Sequence, residues 1–411
     1  MQARMILKNI IIINDYGFIE GGASQVAISS AIKLASLDYN VTLFCGVLSD
    51  TKELKFNNLN IVSTKQYDIL ADPNRLRAIF NGVWNSKSAR ILSELLDRYD
   101  CKYTIIHIHT WTKALSSSVV NIAFKKKFKI VFSLHDYFSV CPNGGFFNFK
   151  KNCACNLKPL SIPCLLTNCD VRSYPQKLWR SMRQYVQQHY GKLPSGIRNF
   201  IFLSDFSEKI LKEYMPDNAN IFRINNPIEV SKHPPTDVGN QNTFVYLGRL
   251  AKEKGPLLAA EAAVKNGCPI IFVGDGPCKS KIKEIYPSAK VTGWVSKDEV
   301  INNLKKSRAL VFPTLLYEVQ PLSVLEAAAL GVPAIVPAPS AACDSVIDRQ
   351  TGLWFKSGDL CDLCSKMKEM EDPKLAARLG LAAYNKFWAH PPTMGNHISE
   401  IVDVYNKVLS E

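Results

Sequence analysis

The chain has 411 residues, 47% of them hydrophobic and 21% charged, the composition of a globular protein long enough for two cores. No apolar run approaches the ~20 residues needed to cross a bilayer. The formal charge of +14 is confined to one half: residues 1–200 carry 26 Lys and Arg against 12 Asp and Glu, residues 201–411 carry 24 of each, and residues 101–200 alone carry 15 against 2. A field this one-sided favours a polyanionic partner, nucleic acid or an anionic membrane surface; general solubility explains its size better than its confinement.

The opening MQARMILKNIIIIND has a basic start, but its apolar run is very short and it lacks a small-residue cleavage site. A first strand over 7–15 is expected rather than a signal peptide, and with it a reducing, cytoplasmic compartment. Gly21 and Gly22 then precede a helix with apolar Val26, Ile28, Ile32, Leu34 and Leu37. A glycine pair between strand and helix lets backbone approach a diphosphate closely. By itself it is a weak sign, because no G-x-G-x-x-G follows. Strands are also expected at 40–46, at TIIHIHTW (104–111) and at KIVFSLHDYF, which ends in His135 and Asp136. Polar residues at the carboxyl end of an apolar strand lie where open α/β sheets bind ligands, although a hydrogen-bonded structural histidine fits equally well.

Residues 138–175 break the α/β rhythm with Cys141, Cys153, Cys155, Cys164 and Cys169. Five cysteines in such a loop point to a structural zinc site, with free thiols or a disulfide as alternatives because the spacings are not two C-x2-C knuckles. The other seven cysteines are scattered and read as buried thiols. QKLWRSMRQYVQQHY (176–190) is a basic, aromatic helix, a packed surface element with membrane contact as the alternative. GKLPSG (191–196) reads as a linker, which sets a domain boundary near residue 195.

The second half restarts the alternation. NFIFLS (199–204), IFRINNPI (221–228), FVYLGRL (244–250) and PIIFVGDGP (269–277) read as strands. Gly248, Arg249 and Lys254 fall after one strand end and Gly274 after another; arginine offers a fork and lysine a point charge to phosphate. KVTGWVSKDEV gives a loop at Gly293, Trp294 and Val295. The most informative unit is 308–339: strand RALVFP, loop TLLYEVQ, helix PLSVLEAAAL, glycine stop Gly331 and strand VPAIVP. Gln320 is the expected N-cap and Pro321 the first helical residue. Since glutamine caps poorly, the amides near Leu322 and Ser323 are left for an anion. Glu318 lies in the loop and Glu326 about one turn inside the helix, so both can face the crevice.

Together YLGRLAKEKG, FVGDGP, VTGWVSKDEV and EVQPLSVLEAAALGVP, in that order, resemble the retaining nucleotide-sugar glycosyltransferases of family 4. GGASQVA, IHIHTW and LHDYF match more loosely. The resemblance implies the GT-B fold: two doubly wound, Rossmann-like α/β domains facing a cleft. It places an acceptor-side domain at 1–195, a donor domain at 196–385 and a C-terminal helix at 386–411 returning to the first domain. It also implies that Arg249 and Lys254 hold the diphosphate of a UDP- or GDP-sugar, Glu318 and His135 contact the sugar, and Glu326 the ribose. The Leu322 and Ser323 amides would face the phosphates, Gly21 and Gly22 would lie under the diphosphate or acceptor, and Trp294 and Val295 beside the base, near Gly248 and Gly274. The family's Glu-Gly-Phe-Gly reads Glu318-Val319-Gln320-Pro321 here, which leaves the sugar open.

With no Asp-x-Asp in the chain, metal-independent transfer is expected, with no cofactor beyond the donor. The basic half points to an anionic, lipid-linked saccharide acceptor and a peripheral position on the inner membrane face. A GT-B epimerase or hydrolase, a non-catalytic nucleotide-sugar binder and a nucleic-acid binder stand as rivals; the last leaves the second-half motifs unexplained.

Overall fold

In the computed structural model, residues 7–49 and 57–411 are described; the basic start of the chain, residues 1–6, lies outside them. Strands β1 (Asn9–Tyr16), β2 (Asn40–Val47), β3 (Leu59–Ser63), β4 (Thr104–Ile108) and β5 (Lys129–Ser133) belong to one sheet. A short hairpin of β6 (Phe147–Asn148) and β7 (Cys153–Ala154) follows, then β8 (Asn199–Phe202) and β9 (Asn220–Arg223). The first sheet is parallel, in the order β3-β2-β1-β4-β5-β8-β9. The second contains β10 (Phe244–Leu247), β11 (Ile270–Val273), β12 (Lys290–Val291), β13 (Ala309–Val311), β14 (Ala334–Ala338) and β15 (Gly352–Lys356), in the order β12-β11-β10-β13-β14-β15. Helices cover both faces, so strand residues such as Ile10 to Ile13 are wholly buried and read as continuous apolar runs.

The sheets divide the chain later than residue 195. β8 and β9 complete the first sheet, so residues 199–223 belong to the first domain. A linker-like composition and a change in charge balance mark a surface segment, whereas strand pairing decides which core a segment joins.

The last helix, Met394–Ser410, leaves the second domain and packs on the first. Ile398, Ile401, Val404, Tyr405 and Val408 share a core with Ile10, Ile12 and Leu34. Tyr405 Oη lies 2.6 Å from His107 Nδ1, and Ser133 Oγ lies 2.8 Å from His107 Nε2. Burial drives this imidazole well below its usual pKa, so it stays neutral and needs both partners. The returning chain runs beside the outgoing one: Ile228 N donates to Pro392 O at 2.9 Å and Asn225 O lies 2.8 Å from His397 Nδ1. Among the described residues no helix is long and apolar enough to cross a membrane.

Tyr405→Phe would leave a buried imidazole nitrogen unpaired. The expected loss is about 1–3 kcal/mol, seen as a lower urea midpoint with an unchanged m-value.

Candidate active site

The second domain's side of the cleft is assembled by a turn locked against a strand end. After β10, residues Lys252–Lys254 form a 3-10 turn ended by Gly255 at φ 71°. A Cβ at Gly255 would stand 2.0 Å from Pro313 O, so only glycine permits this approach. Glu253 O accepts the Leu315 and Leu316 amides at 2.9 and 3.2 Å, and Tyr246 Oη donates to Arg249 O at 2.9 Å. The loops after β10 and β13 are therefore tied to each other. The neighbouring loop after β11 is equally tight: a Cβ on Gly274 would lie 2.1 Å from Gly248 O.

This arrangement brings Arg249, Lys254, Glu318, Leu322 and Ser323 around one cavity of 190 Å³. Lys254 Nζ pairs with Glu318 Oε1, which also accepts from Thr314 Oγ1 at 3.3 Å. Glu318 Oε2 is left without a hydrogen bond among the described residues. Arg249 pairs with the buried Glu253 but stays largely exposed. The helix Leu322–Ala329 starts one residue later than the sequence suggests: Pro321, not Gln320, is its N-cap, and no side chain caps it. Its first amides open on the cavity that Leu322 and Ser323 line.

A second cavity, of 380 Å³, lies between the domains. Gly22 and Gln25 line it from the first domain, and Val295, Lys297, Leu322 and Glu326 from the second. Burial raises the Glu326 carboxyl above its usual pKa, with Lys297 pulling the other way, and Glu326 has no hydrogen-bond partner among the described residues. Two expected donor contacts stand apart. Trp294 is 85% exposed and lines neither cavity, and Gly274 packs on Gly248 instead of lining one. An indole in a loop looks like a base platform in sequence, but here its neighbour Val295 turns inward.

A third cavity, of 210 Å³, sits on the first domain under Gly21 and Gly22, where an added Cβ would meet nothing within 4 Å. Asp136 lines this cavity with Lys113 and Thr112. Burial holds the Asp136 carboxyl up, to about 6, against the Phe138 amide and Arg183. Asp15 is structural: its carboxylate accepts the amides of Lys113, Ala114 and Leu115 at 2.8–3.1 Å.

His135 lines none of these three cavities. Its Nε2 lies 2.8 Å from His109 Nδ1, and burial lowers its pKa to about 3, so it is neutral at ordinary pH. Two residues on, Tyr137 Oη reaches across to donate to Glu318 O at 3.3 Å. The unusual Val319-Gln320-Pro321 belongs to the same crossing. Tyr317 and Val319 pack on the first domain's core. Gln320 Oε1 accepts from Asn226 N at 2.7 Å, and its Nε2 donates to Asn225 Oδ1 at 3.0 Å.

Four of the five clustered cysteines stand near one another: Cys141, Cys155 and Cys164 all help to raise the pKa of the Cys169 thiol, after burial. Among the described residues no three His, Cys, Asp or Glu form a group able to hold a metal ion. Cys153 is exposed on the hairpin, and the buried Lys177 donates from Nζ to Cys164 Sγ at 3.3 Å, putting an ammonium beside the thiols.

Gly255→Ala forces a left-handed alanine against Pro313 O. The expected loss is about 2–4 kcal/mol from strain and overpacking together, read by chemical unfolding, with donor binding weakened in the folded fraction.

Comparison with known proteins places the chain. A model of glycosyltransferase family 4 matches residues 20–232, more than half of the chain, and a model of glycosyl transferases group 1 matches 229–386. An Escherichia coli UDP-Gal:alpha-D-GlcNAc-diphosphoundecaprenol alpha-1,3-galactosyltransferase is 26% identical over 224 residues, 48% of this chain and 57% of that protein. The chain thus matches little more than half of that relative's length. Sucrose-phosphate synthase from Thermosynechococcus elongatus superposes with a TM-score of 0.71 at 15% identity, covering 98% of this chain and 99% of that one. Anabaena HepE, solved with UDP and glucose, gives 0.66 at 14%, covering 97% and 100%. At these identities the structures speak for the fold alone: two Rossmann-like domains in the GT-B arrangement. On the family models and the fold together, the chain belongs to glycosyltransferase family 4.

Proposed function

We propose that the protein is a retaining glycosyltransferase that moves a sugar from a UDP- or GDP-sugar to a lipid-linked glycan acceptor. The observation that carries this reading is the single cavity shared by Arg249, the Lys254–Glu318 pair and the uncapped helix end at Leu322 and Ser323. Breaking a sugar–phosphate bond develops charge on the leaving diphosphate. Two cations and two unpaired amides favour that charge most where it is largest, at the transition state. These groups can take up the charge with the protein's own residues, so transfer without a catalytic metal is part of the proposal. Glu326 is suited to the ribose hydroxyls, having no partner of its own, and Glu318 Oε2 to a sugar hydroxyl.

Attack from the face that the leaving group vacates lets the diphosphate accept the acceptor's proton and retains the anomeric configuration. Neutral His135, held against His109 outside the three cavities, cannot serve as a cationic acid. Asp136, on the acceptor-side cavity, is the candidate to hold the acceptor hydroxyl. The basic first half and the acceptor named for the Escherichia coli relative both support a lipid-diphosphate-linked acceptor at an anionic membrane face.

A panel of nucleotide sugars screened by thermal shift, with hits tested for turnover on membrane lipid extracts, checks this reading; a panel with neither binding nor turnover sinks it. Arg249→Ala and Lys254→Ala should each lower kcat by about 10²-fold, the usual cost of losing one charge-stabilising contact. Because Asp136 has a raised pKa, its carboxylate form is lost as pH falls through about 6. The pH–rate profile should therefore fall on the acid side near that value, and Asp136→Asn should flatten that limb while lowering the plateau.

A further inference from the structure

A fourth cavity, of 340 Å³, opens on the first domain between the helices Arg75–Val83 and Tyr174–His189. Arg75, Lys113, Arg172, Arg180 and Arg183 line it, and among the described residues no carboxylate does. Three of these cations have hydrogen-bond or ion-pair partners, and Lys113 Nζ lies 5.5 Å from the Tyr16 ring centre. Arg180 pairs with Asp170 at 3.0 Å, Arg75 Nη1 donates to the carbonyls of Ile69 and Leu70, and Arg183 Nη1 donates to Thr112 O at 3.0 Å. Arg183 is only 7% exposed and sits 5.3 Å from the ring centres of both Phe138 and Trp179. That single carbonyl is its only hydrogen-bond partner among the described residues. A buried guanidinium with unused donors, on the wall of a cationic cavity, is set up for an anion with several acceptors.

The walls have a second character. The helix Tyr174–His189 is inside out: it buries Lys177, Ser181, Arg183, Gln184 and Gln187 and presents apolar side chains outward. Leu178, Met182 and Tyr185 on it, with Leu76, Ile79 and Phe80 on the helix packed beside it, are 42–70% exposed. The two helices meet where Trp179 Nε1 donates to Ile79 O at 3.2 Å and its ring closes on Gly82. An exposed apolar surface beside a cationic pocket matches an anionic amphiphile in both parts. The pocket also continues toward the chemistry: Thr112, Lys113 and Phe138 line both it and the cavity that holds Asp136.

We infer that this pocket is the binding site for a lipid diphosphate, the anchor of the acceptor, with the diphosphate against Arg183, Arg172 and Lys113 and the hydrocarbon chain over the exposed side chains of the two helices. The inference rests on the transferase reading for its biological meaning but is tested separately from it. Calorimetry on the full chain, with UDP present to occupy the donor side, would compare farnesyl diphosphate, farnesol and inorganic diphosphate. Farnesyl diphosphate should bind at least about tenfold tighter than either control, since it alone uses both parts of the site. Arg172→Glu and Leu178→Asp, both at exposed positions, should each weaken it by about tenfold or more. Absent binding of farnesyl diphosphate, affinity no better than that of inorganic diphosphate, or a Kd unmoved by both variants would overturn the assignment. Binding to phosphatidylglycerol vesicles without binding of farnesyl diphosphate would also overturn it, in favour of a general membrane contact. Transfer to a water-soluble glycan acceptor is scored in parallel. Its failure counts against the transferase reading, while the calorimetry still decides the pocket.

Discussion

The whole cleft depends on one close approach, that of Gly255 to the carbonyl of Pro313. Because the turn before Gly255 lies on the end of β13, the carbonyl of Glu253 can bind two amides of the following loop. An arginine and a lysine from the loop after β10 and a glutamate from the loop after β13 are thereby held around one cavity. That rigidity matters because electrostatic stabilisation of a departing diphosphate works only if the charges are already in place when the bond breaks.

Charges so placed would repel or collapse in the absence of ligand, and the structure shows how this is managed. Each of the two cations at this cavity has a carboxylate partner: Lys254 has Glu318 and Arg249 has Glu253. The half-buried Lys254–Glu318 pair limits the desolvation cost of each member and orients both toward the cavity. The same loop then reaches across the cleft. Val319 and Tyr317 pack on the first domain's core, and Gln320 fastens to Asn225 and Asn226, just after β9. The departure from the family's Glu-Gly-Phe-Gly thus exchanges backbone freedom for a contact between domains, so in this chain the loop after β13 and the domain interface are one structure.

Much of the site was legible because its signals are local. Apolar runs ending in glycine or proline mark the parallel strands, and polar residues just beyond them mark the crevice, which is how Arg249, Lys254, Glu318 and Glu326 stand out. The features that escaped are those set by long-range packing. β8 joins the first sheet by pairing with β5, and β9 by pairing with β8, which no charge balance or linker composition reveals. His135 and Asp136 are neighbours at one strand end, yet only the second lines the acceptor-side cavity. Trp294 looks outward where Val295 turns in. The cysteine-rich segment has the composition of a metal site, but Lys177, which puts an ammonium among the thiols, comes from a helix later in the chain. Alternation between faces and burial of a distant cation depend on the assembled tertiary structure.

The most direct test of the central claim is a crystal structure of the protein soaked with UDP. The account predicts the β-phosphate within hydrogen-bond distance of Arg249, Lys254 and the amides of Leu322 and Ser323, with the ribose hydroxyls on Glu326. A nucleotide bound elsewhere, or a diphosphate that touches neither cation, would contradict it.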